Sequence, residues 1–357
     1  MQFLKALPRI PGLTLTNKLL ILGPLANKQD PSRTGGAIIL FQEILKELNR
    51  QKADYKVIDT NKHNYGSKFI TFIKVSAQII RETPKHESAL FFTSTNYLFF
   101  LPVLRFVCSL SGTKLIMRKF GGELQHILDK RGIKAFYIKW LLKRPYKLLI
   151  ETKGLQSYLA AIGVKSEWMP NARHFPIITS AKHHQGTTRT KMVYLNRLSS
   201  VKGVHQLIAL DEYLTNGISI DVYGPEEDIK RIQFENLNKV FYKGVAAHET
   251  IYDLLSVYDA VVLPTSYEGE GYPGIIIEAL GVGIPVVTTN HNYIAEIVQD
   301  GVNGILTNDN TPQNILDGLK AVNGLDKSNL EKSRAFMLEN FSIEKNVKRL
   351  LSLSACV

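Results

Sequence analysis

The first half of the chain alternates short apolar runs with stretches of helical periodicity. Residues 18–23 (KLLILG) form a continuous apolar run that stops at Gly23-Pro24, which predicts a buried strand. Over residues 36–49, Ile38, Ile39, Phe41, Ile44, Leu45 and Leu48 recur at intervals of three and four, the spacing of one helix face. Residues 55–59, 89–93, 113–118 and 147–151 predict further strands, with helical patterns between them. The pattern then lapses over residues 177–191, a polar stretch with no clear period, and this predicts a linker. Alternation resumes beyond it, with strands expected at 192–196, 219–223, 239–242, 260–264, 285–288 and 304–307. Helical segments follow at 327–340 and 342–353.

Strands alternating with helices predict parallel sheets covered on both faces. The expected fold class is α/β: two Rossmann-like doubly wound domains facing a central cleft, with a first domain over 1–176, a linker over 177–191 and a second domain over 192–340. Ligands of such sheets bind outside the carboxyl ends of the strands, so the turns that follow each strand are where chemistry is sought.

Composition narrows the picture without redirecting it. A length of 357 residues suits two domains, and 45% apolar with 21% charged residues is ordinary for packed cores. Cys108 and Cys356 lie far apart, which excludes a disulfide framework and metal-ligand spacing and makes a reducing cytoplasm the expectation. Residues 1–16 carry Pro8 and Pro11 and no small-residue cleavage site, so no secretory signal is expected. The most apolar window, 97–110, is broken by Pro102 and Arg105 and is too short to span a bilayer.

Charge is unevenly spread. Residues 1–180 hold 28 Lys and Arg against 11 Asp and Glu, a net +17, whereas the remainder is −5. A basic half implies an anionic partner: a pyrophosphate-linked substrate, anionic lipid or nucleic acid. No nucleic-acid reading module is recognisable, and no nucleic acid is expected. Residues 133–144 mix aromatics and cations at helical spacing, and 98–110 is apolar with a single Arg105. Both patterns suit either ordinary sheet-covering helices or a shallow contact with a membrane surface.

The densest chemistry lies in residues 264–287 (PTSYEGEGYPGIIIEALGVGIPVV), which begin where a strand ends. Gly269, Gly271 and Gly274 allow the backbone to approach a ligand, and Pro273 suits the first turn of the helix that follows. The amides near Gly274 then offer an anion site, flanked by a loop carboxylate, Glu270, and a helix carboxylate, Glu278.

This string resembles the signature of the family 4 (group 1) retaining nucleotide-sugar glycosyltransferases, which have the GT-B fold. The resemblance extends to Tyr194-Leu-Asn-Arg-Leu…Lys-Gly203, Asp221-Val-Tyr-Gly-Pro225, Val240-Phe-Tyr-Lys-Gly-Val245, Asp259-Ala-Val-Val-Leu-Pro264 and Glu296-Ile-Val…Gly304, all in order. It implies that Arg197 and Lys202 neutralise the donor diphosphate and that Glu278 holds the ribose. Glu270 would then hold the donor sugar, with Gly271, Tyr272, Pro273 and Gly274 as cradle and Val245 beside the base. It also implies that the last segment, 341–357, crosses back to the first domain.

In the first half the likeness is thinner. Arg33-Thr-Gly-Gly-Ala37 resembles the family's glycine loop, which places Gly35 and Gly36 toward the donor phosphates. At Arg118-Lys-Phe-Gly-Gly-Glu123 a histidine common in relatives is absent. Arg118, Lys119 and Glu123 are therefore candidates for acceptor recognition, together with Asn171.

The function so implied is transfer of a sugar, with retention of configuration, from a nucleotide-diphosphate sugar to a sugar or lipid-linked glycan acceptor. The setting would be capsule, O-antigen or exopolysaccharide assembly at the inner face of the cell membrane. No cofactor is expected: the nucleotide sugar is a co-substrate, and the two cations with helix amides replace a metal, no Asp-x-Asp triplet being present. A nucleotide-sugar epimerase on the same fold and a basic nucleic-acid-binding protein are the alternatives.

Overall fold

The computed structural model describes residues 17–29, 35–130, 132–143, 145–176, 190–215 and 217–355. Arg33, Thr34, Arg144, Cys356, residues 1–16 and most of the expected linker, 177–189, lie outside them. The chain divides into two compact units, Met1–Ala172 with Ile343–Val357, and Arg173–Ser342.

The first unit contains strands β1 (Asn17–Gly23), β2 (Tyr55–Asp59), β3 (His86–Thr93), β4 (Lys114–Lys119), β5 (Lys147–Ile150) and β6 (Glu167–Trp168). They form one parallel sheet of order β2-β1-β3-β4-β5-β6. Its helices are α1 (Gly36–Arg50), α2 (Lys68–Glu82), α3 (Leu101–Ser111), α4 (Glu123–Asp129), α5 (Ile133–Leu142) and α6 (Lys153–Ala161). Leu19, Leu20, Ile21 and Leu22 are all buried, as a central parallel strand covered on both faces requires. Strand β3 starts three residues before its apolar run, where two polar side chains find backbone partners. His86 bonds the Glu82 carbonyl through Nδ1 (2.8 Å), and the Ser88 hydroxyl donates to the carbonyl of Ser354 (2.9 Å). The two-residue β6 carries too short a pattern to be read from sequence.

The second unit repeats the scheme with β7 (Thr190–Leu195), β8 (Ile218–Tyr223), β9 (Val240–Tyr242), β10 (Ala260–Leu263), β11 (Val286–Thr289) and β12 (Gly304–Thr307) in parallel order β12-β11-β10-β7-β8-β9. Its helices are α7 (Val204–Leu210), α8 (Ile251–Leu255), α9 (Gly274–Gly281), α10 (Pro312–Ala321) and α11 (Lys327–Asn340). Residues 190 and 191 belong to β7 rather than to a linker.

The first boundary falls at Ala172, four residues before the expected one. Arg173 already belongs to the second unit: its amide donates to the carbonyl of Phe341 (2.7 Å), and its guanidinium pairs with Glu278 (2.6 Å). The chain then returns through helix α12 (Ile343–Ala355), which packs against α1 and β3 of the first unit. Ile343, Val347 and Leu350 join Leu40, Phe41 and Leu48 in one buried cluster.

Truncating a buried leucine removes its transfer energy and leaves a cavity. Leu350→Ala is expected to lower the stability of the first unit by about 2–5 kcal/mol, measured by urea unfolding. An unchanged midpoint would mean that α12 is dispensable to that core.

Candidate functional site

In the second unit the strand order reverses between β7 and β10. From β7 the chain steps outward to β8 and β9, then returns to the other side of β7 for β10, β11 and β12. Loops leaving the two strands at such a switch point diverge and leave a crevice at their carboxyl ends. Both conspicuous sequence blocks, residues 196–203 and 264–274, are those loops.

After β7 the chain makes a single helical turn at Ser200–Lys202. Asp228 holds the start of this turn, accepting from the Ser200 amide (3.1 Å) and from the Ser200 hydroxyl. These bonds, the hydroxyl first, draw the Asp228 carboxyl down to about 2. Gly203 follows with φ of 83°. A Cβ there would lie 2.1 Å from the carbonyl oxygen of Pro264, so only glycine lets the two loops meet.

That meeting buries a charge pair. The Lys202 ammonium bonds the Glu270 carboxylate, and both side chains are buried. Thr265 donates its hydroxyl to the same carboxylate oxygen (3.0 Å), and the ring of Tyr267 lies 4.6 Å from the ammonium. The Ser266 amide donates to the Val201 carbonyl (2.9 Å), fastening one loop to the other. From beyond β11, the Asn292 amide donates to the Glu268 carbonyl (2.9 Å), and His291 Nε2 lies 3.0 Å from the Tyr267 carbonyl.

Arg197 is placed differently from Lys202. Its guanidinium pairs with Glu227, and the side chain is 42% exposed. Tyr194 lies within electrostatic reach of both pairs. Burial pushes its hydroxyl well above the ordinary range, Arg197 opposes this, and Glu270, Glu227 and Asp228 add to it. The same hydroxyl donates to the Arg197 carbonyl (2.7 Å). The crevice thus has a buried cation on its floor and an exposed one at its rim.

Pro273 is the cap of α9, one position before the first turn. Glu278, four residues into the helix from Gly274, is buried and paired with Arg173 Nε. A Cβ at Gly274 would stand 1.8 Å from the Arg173 guanidinium, so that group lies directly over the start of α9. Tyr272 is buried, donates its hydroxyl to Glu296 and stacks obliquely on Phe341 (5.8 Å). Val245 follows β9 and is 66% exposed.

Sequence reasoning missed Arg173, Thr265, Tyr267, Glu227 and Asn292. Thr265 and Tyr267 lie inside the signature but are not charged, and Arg173 looked like the tail of the first domain. Nothing local to Glu227 marks it as the partner of a residue 30 positions earlier.

In the first unit the switch point lies between β1 and β3. Gly35 and Gly36 sit at the start of α1, exposed, and a Cβ at either would meet nothing within 4 Å. Neither glycine is therefore demanded by packing within the unit. The acceptor-side candidates collect two strands away. Arg118 and Lys119, at the end of β4, are fully buried. Arg118 donates to the Lys119 carbonyl (3.2 Å) and to Asn171 Oδ1 (3.3 Å) and lies over the ring of Phe120 (5.3 Å). Lys119 donates to the Phe120 carbonyl. Glu151, which the sequence did not single out, accepts from Asn171 and from the Gly121 amide (3.1 Å). Burial draws Arg118 down to about 10 with Glu151 opposing, and Lys119 down to about 8 with Glu123 and Glu151 opposing. Glu123, half-buried, opens α4. The two cations are enclosed by their own unit, whereas Glu123 and Asn171 keep partial exposure.

Among the described residues no three His, Cys, Asp or Glu side chains are grouped to hold a metal ion. No helix among them is long and apolar enough to cross a membrane.

Two parallel α/β units, the second with paired charges at its switch point, define a Rossmann-like architecture. Comparison with known proteins narrows the class: residues 178–334, most of the second unit, match the family described as glycosyl transferases group 1. An uncharacterized glycosyltransferase of Methanocaldococcus jannaschii is 30% identical over 172 residues, 45% of this chain and 43% of that protein. A putative colanic acid biosynthesis glycosyltransferase, WcaL of Salmonella typhimurium, is 28% identical over 181 residues, 46% of this chain and 44% of its own. The chain thus spans less than half the length of these curated relatives. Among solved structures, Anabaena HepE in complex with UDP superposes with a TM-score of 0.71 at 17% identity, covering 95% of this chain and 100% of that one. Sucrose-phosphate synthase from Thermosynechococcus elongatus gives 0.71 at 14%, covering 94% and 98%. The fold is that of the GT-B glycosyltransferases.

Removing one partner of a buried ion pair strands the other charge. Lys202→Met is expected to destabilise the second unit by about 3 kcal/mol in urea unfolding, with Lys202→Met/Glu270→Met recovering part of it. A double variant as unstable as the two single losses combined would show that the pair is not the coupled element.

For Lys119 the sign follows from its depressed value. Below pH 8 both states are charged and the folded state bears the whole cost of burial. Between about 8 and the unfolded value of about 10.4 only the unfolded state keeps the proton, so stability rises with pH. The stability gap between wild type and Lys119→Met should narrow by up to about 3 kcal/mol from pH 7 to pH 10. A pH-independent gap would refute this burial cost.

Proposed function

We propose that this protein is a retaining glycosyltransferase of family 4, hexosyltransferase-like, that takes a sugar from a nucleotide-diphosphate donor. The observation that carries the reading is the convergence of Lys202, Glu270 and the start of α9 at the switch point of the second unit, with Arg197 at the rim. Charge builds on the diphosphate as the sugar departs, and preorganised cations with helix amides stabilise it most at that moment. Lys202 and Arg197 serve as those cations, and no metal is required in this scheme.

Glu270 and Glu278 are acceptors for sugar and ribose hydroxyls. Each is held by a cation, Lys202 and Arg173 respectively, so the donor's oxygens and hydroxyls would take over bonds made within the protein. Gly271, Tyr272 and Pro273 shape the cradle, and exposed Val245 is available to a base. Gly35 and Gly36, with open space above them, suit an approach of phosphate to α1. HepE was solved with UDP and with UDP-glucose, which supports a nucleotide sugar as donor. The likeness to WcaL, a putative colanic acid biosynthesis glycosyltransferase, supports polysaccharide assembly, and the proposed acceptor is a sugar or lipid-linked glycan at the cytoplasmic membrane face. Glu123 and Asn171 are the acceptor-side contacts in this reading, with Arg118 and Lys119 holding them from beneath.

Thermal unfolding against UDP, GDP and a panel of nucleotide sugars tests the donor site. A ligand at 100 times its Kd stabilises by about 2.7 kcal/mol, a shift of several degrees. One nucleotide should raise Tm in the wild type, with the shift reduced by Arg197→Ala and by Glu278→Gln. A shift that survives both substitutions would place the nucleotide elsewhere, and no shift with any member would sink the donor reading.

A further inference from the structure

We propose that the outer face of the α2–α3–α5 layer in the first unit docks onto the surface of an anionic lipid bilayer. This deepens the membrane contact of the reading above by naming its surface and its lipid chemistry, and it rests on that reading only for the role of the acceptor.

The layer follows from topology. The connections β2→β3, β3→β4 and β4→β5 all step in the same direction across the sheet, so right-handed crossovers put α2, α3, α4 and α5 on one face. Helix α1 steps the opposite way and lies on the other face with α12. The three outer helices are neighbours: α2 packs on α3, Phe72 of α2 stacks on Phe100 (6.1 Å), and the Arg105 guanidinium of α3 sits 4.5 Å over the Trp140 ring of α5.

Each helix already satisfies the core with its inner side. Val75 and Ile79 do so on α2, Leu104 and Val107 on α3, Ile138 and Leu141 on α5. The outer sides are nonetheless apolar. Phe69 is 72% exposed, Ile133 90% and Phe136 74%, and Ile73, Phe106 and Trp140 are exposed beside them. Scattered exposed apolar residues mean nothing, but a run of large ones across three adjacent helices marks an interaction surface. Ile133 and Phe136 also line a cavity of about 580 Å³ with Leu128, Asp129, Lys139 and Ile162, a recess of mixed apolar and charged character beside α5.

Charge chooses the occupant. Helices α2, α3 and α5 carry Lys68, Lys74, Arg81, Arg105, Lys134 and Lys139. Their single acidic residue, Glu82, is buried and paired with Lys56, Arg81 and Lys85. The exposed side therefore shows cations and aromatics with no opposing carboxylate from these helices. A second copy docking through this face would set cations against cations, since a two-fold interface pairs a patch with itself. An anionic lipid surface complements it: each basic residue near such a surface strengthens binding about fivefold, and Trp and Tyr rings settle at the headgroup level.

Flotation of the full-length protein with vesicles of phosphatidylcholine, with or without 30% phosphatidylglycerol (a fraction of about one third sets a surface potential of the cytoplasmic-leaflet kind), tests the proposal. Binding should favour the anionic vesicles at least tenfold and weaken with salt. Ile133→Ser/Phe136→Ser/Trp140→Ser and, separately, Lys134→Gln/Lys139→Gln should each reduce it about tenfold or more. The UDP and GDP thermal shifts should be unchanged in both variants, which separates lost docking from lost folding or a lost donor site. A wild type that binds vesicles but no nucleotide would sink the donor reading and leave docking intact. Equal binding to neutral and anionic vesicles, no binding, or binding indifferent to both variants would overturn the proposal. So would self-association in sedimentation velocity that the serine variant abolishes, since the occupant would then be a second copy.

Discussion

A parallel sheet whose strand order reverses partway cannot close over its own carboxyl edge, because the loops on either side of the reversal leave in opposite directions. Every chemical feature of the second unit depends on that constraint. The turn at Ser200–Lys202 comes from one side and the segment 264–274 from the other. Gly203 lets the two backbones approach, and the Ser266 to Val201 bond holds them there. Without the reversal Lys202 and Glu270 would have no reason to meet.

What meets there is costly to bury. Taking Lys202 and Glu270 out of water is compensated only in part by their attraction, and such pairs are weak arguments for stability. Thr265 and the Tyr267 ring offset some of the remainder. In the proposed function the pair is a site held ready: an ammonium and a carboxylate kept in place by each other can be separated by a ligand that supplies anionic oxygens to one and hydroxyls to the other. Arg173 and Glu278 repeat the arrangement one helix turn away, over a helix start whose dipole favours an anion. Arg173 is also the first residue of the second unit, and its backbone pairs with Ser342, where the chain leaves that unit. One residue thus joins the Glu278 carboxylate to both chain passages.

The two units use positive charge in opposite ways. In the second the cations line a crevice. In the first, Arg118 and Lys119 are buried, with Asn171 and Glu151 beside Arg118, while six further basic residues lie on the outward helices α2, α3 and α5. The net +17 read from residues 1–180 is therefore not one patch: it includes cations internal to the fold and cations on outward helices.

The sequence by itself determined the class of fold, because period-two and period-3.6 patterns are local and the continuous apolar runs at residues 18–23 and 260–264 have strand length and end at Gly or Pro. It also marked residues 194–203 and 264–278 as the candidate site, since glycines, a proline and charged residues at strand ends leave a local mark. Tertiary structure alone decided how those residues pair. Lys202 takes Glu270 and Arg197 takes Glu227, because pairing depends on which loops the strand order brings side by side. Tertiary structure likewise moved Arg173 into the second unit and enclosed Arg118 and Lys119. Burial depends on what packs over a residue from elsewhere in the chain, and no local period records that.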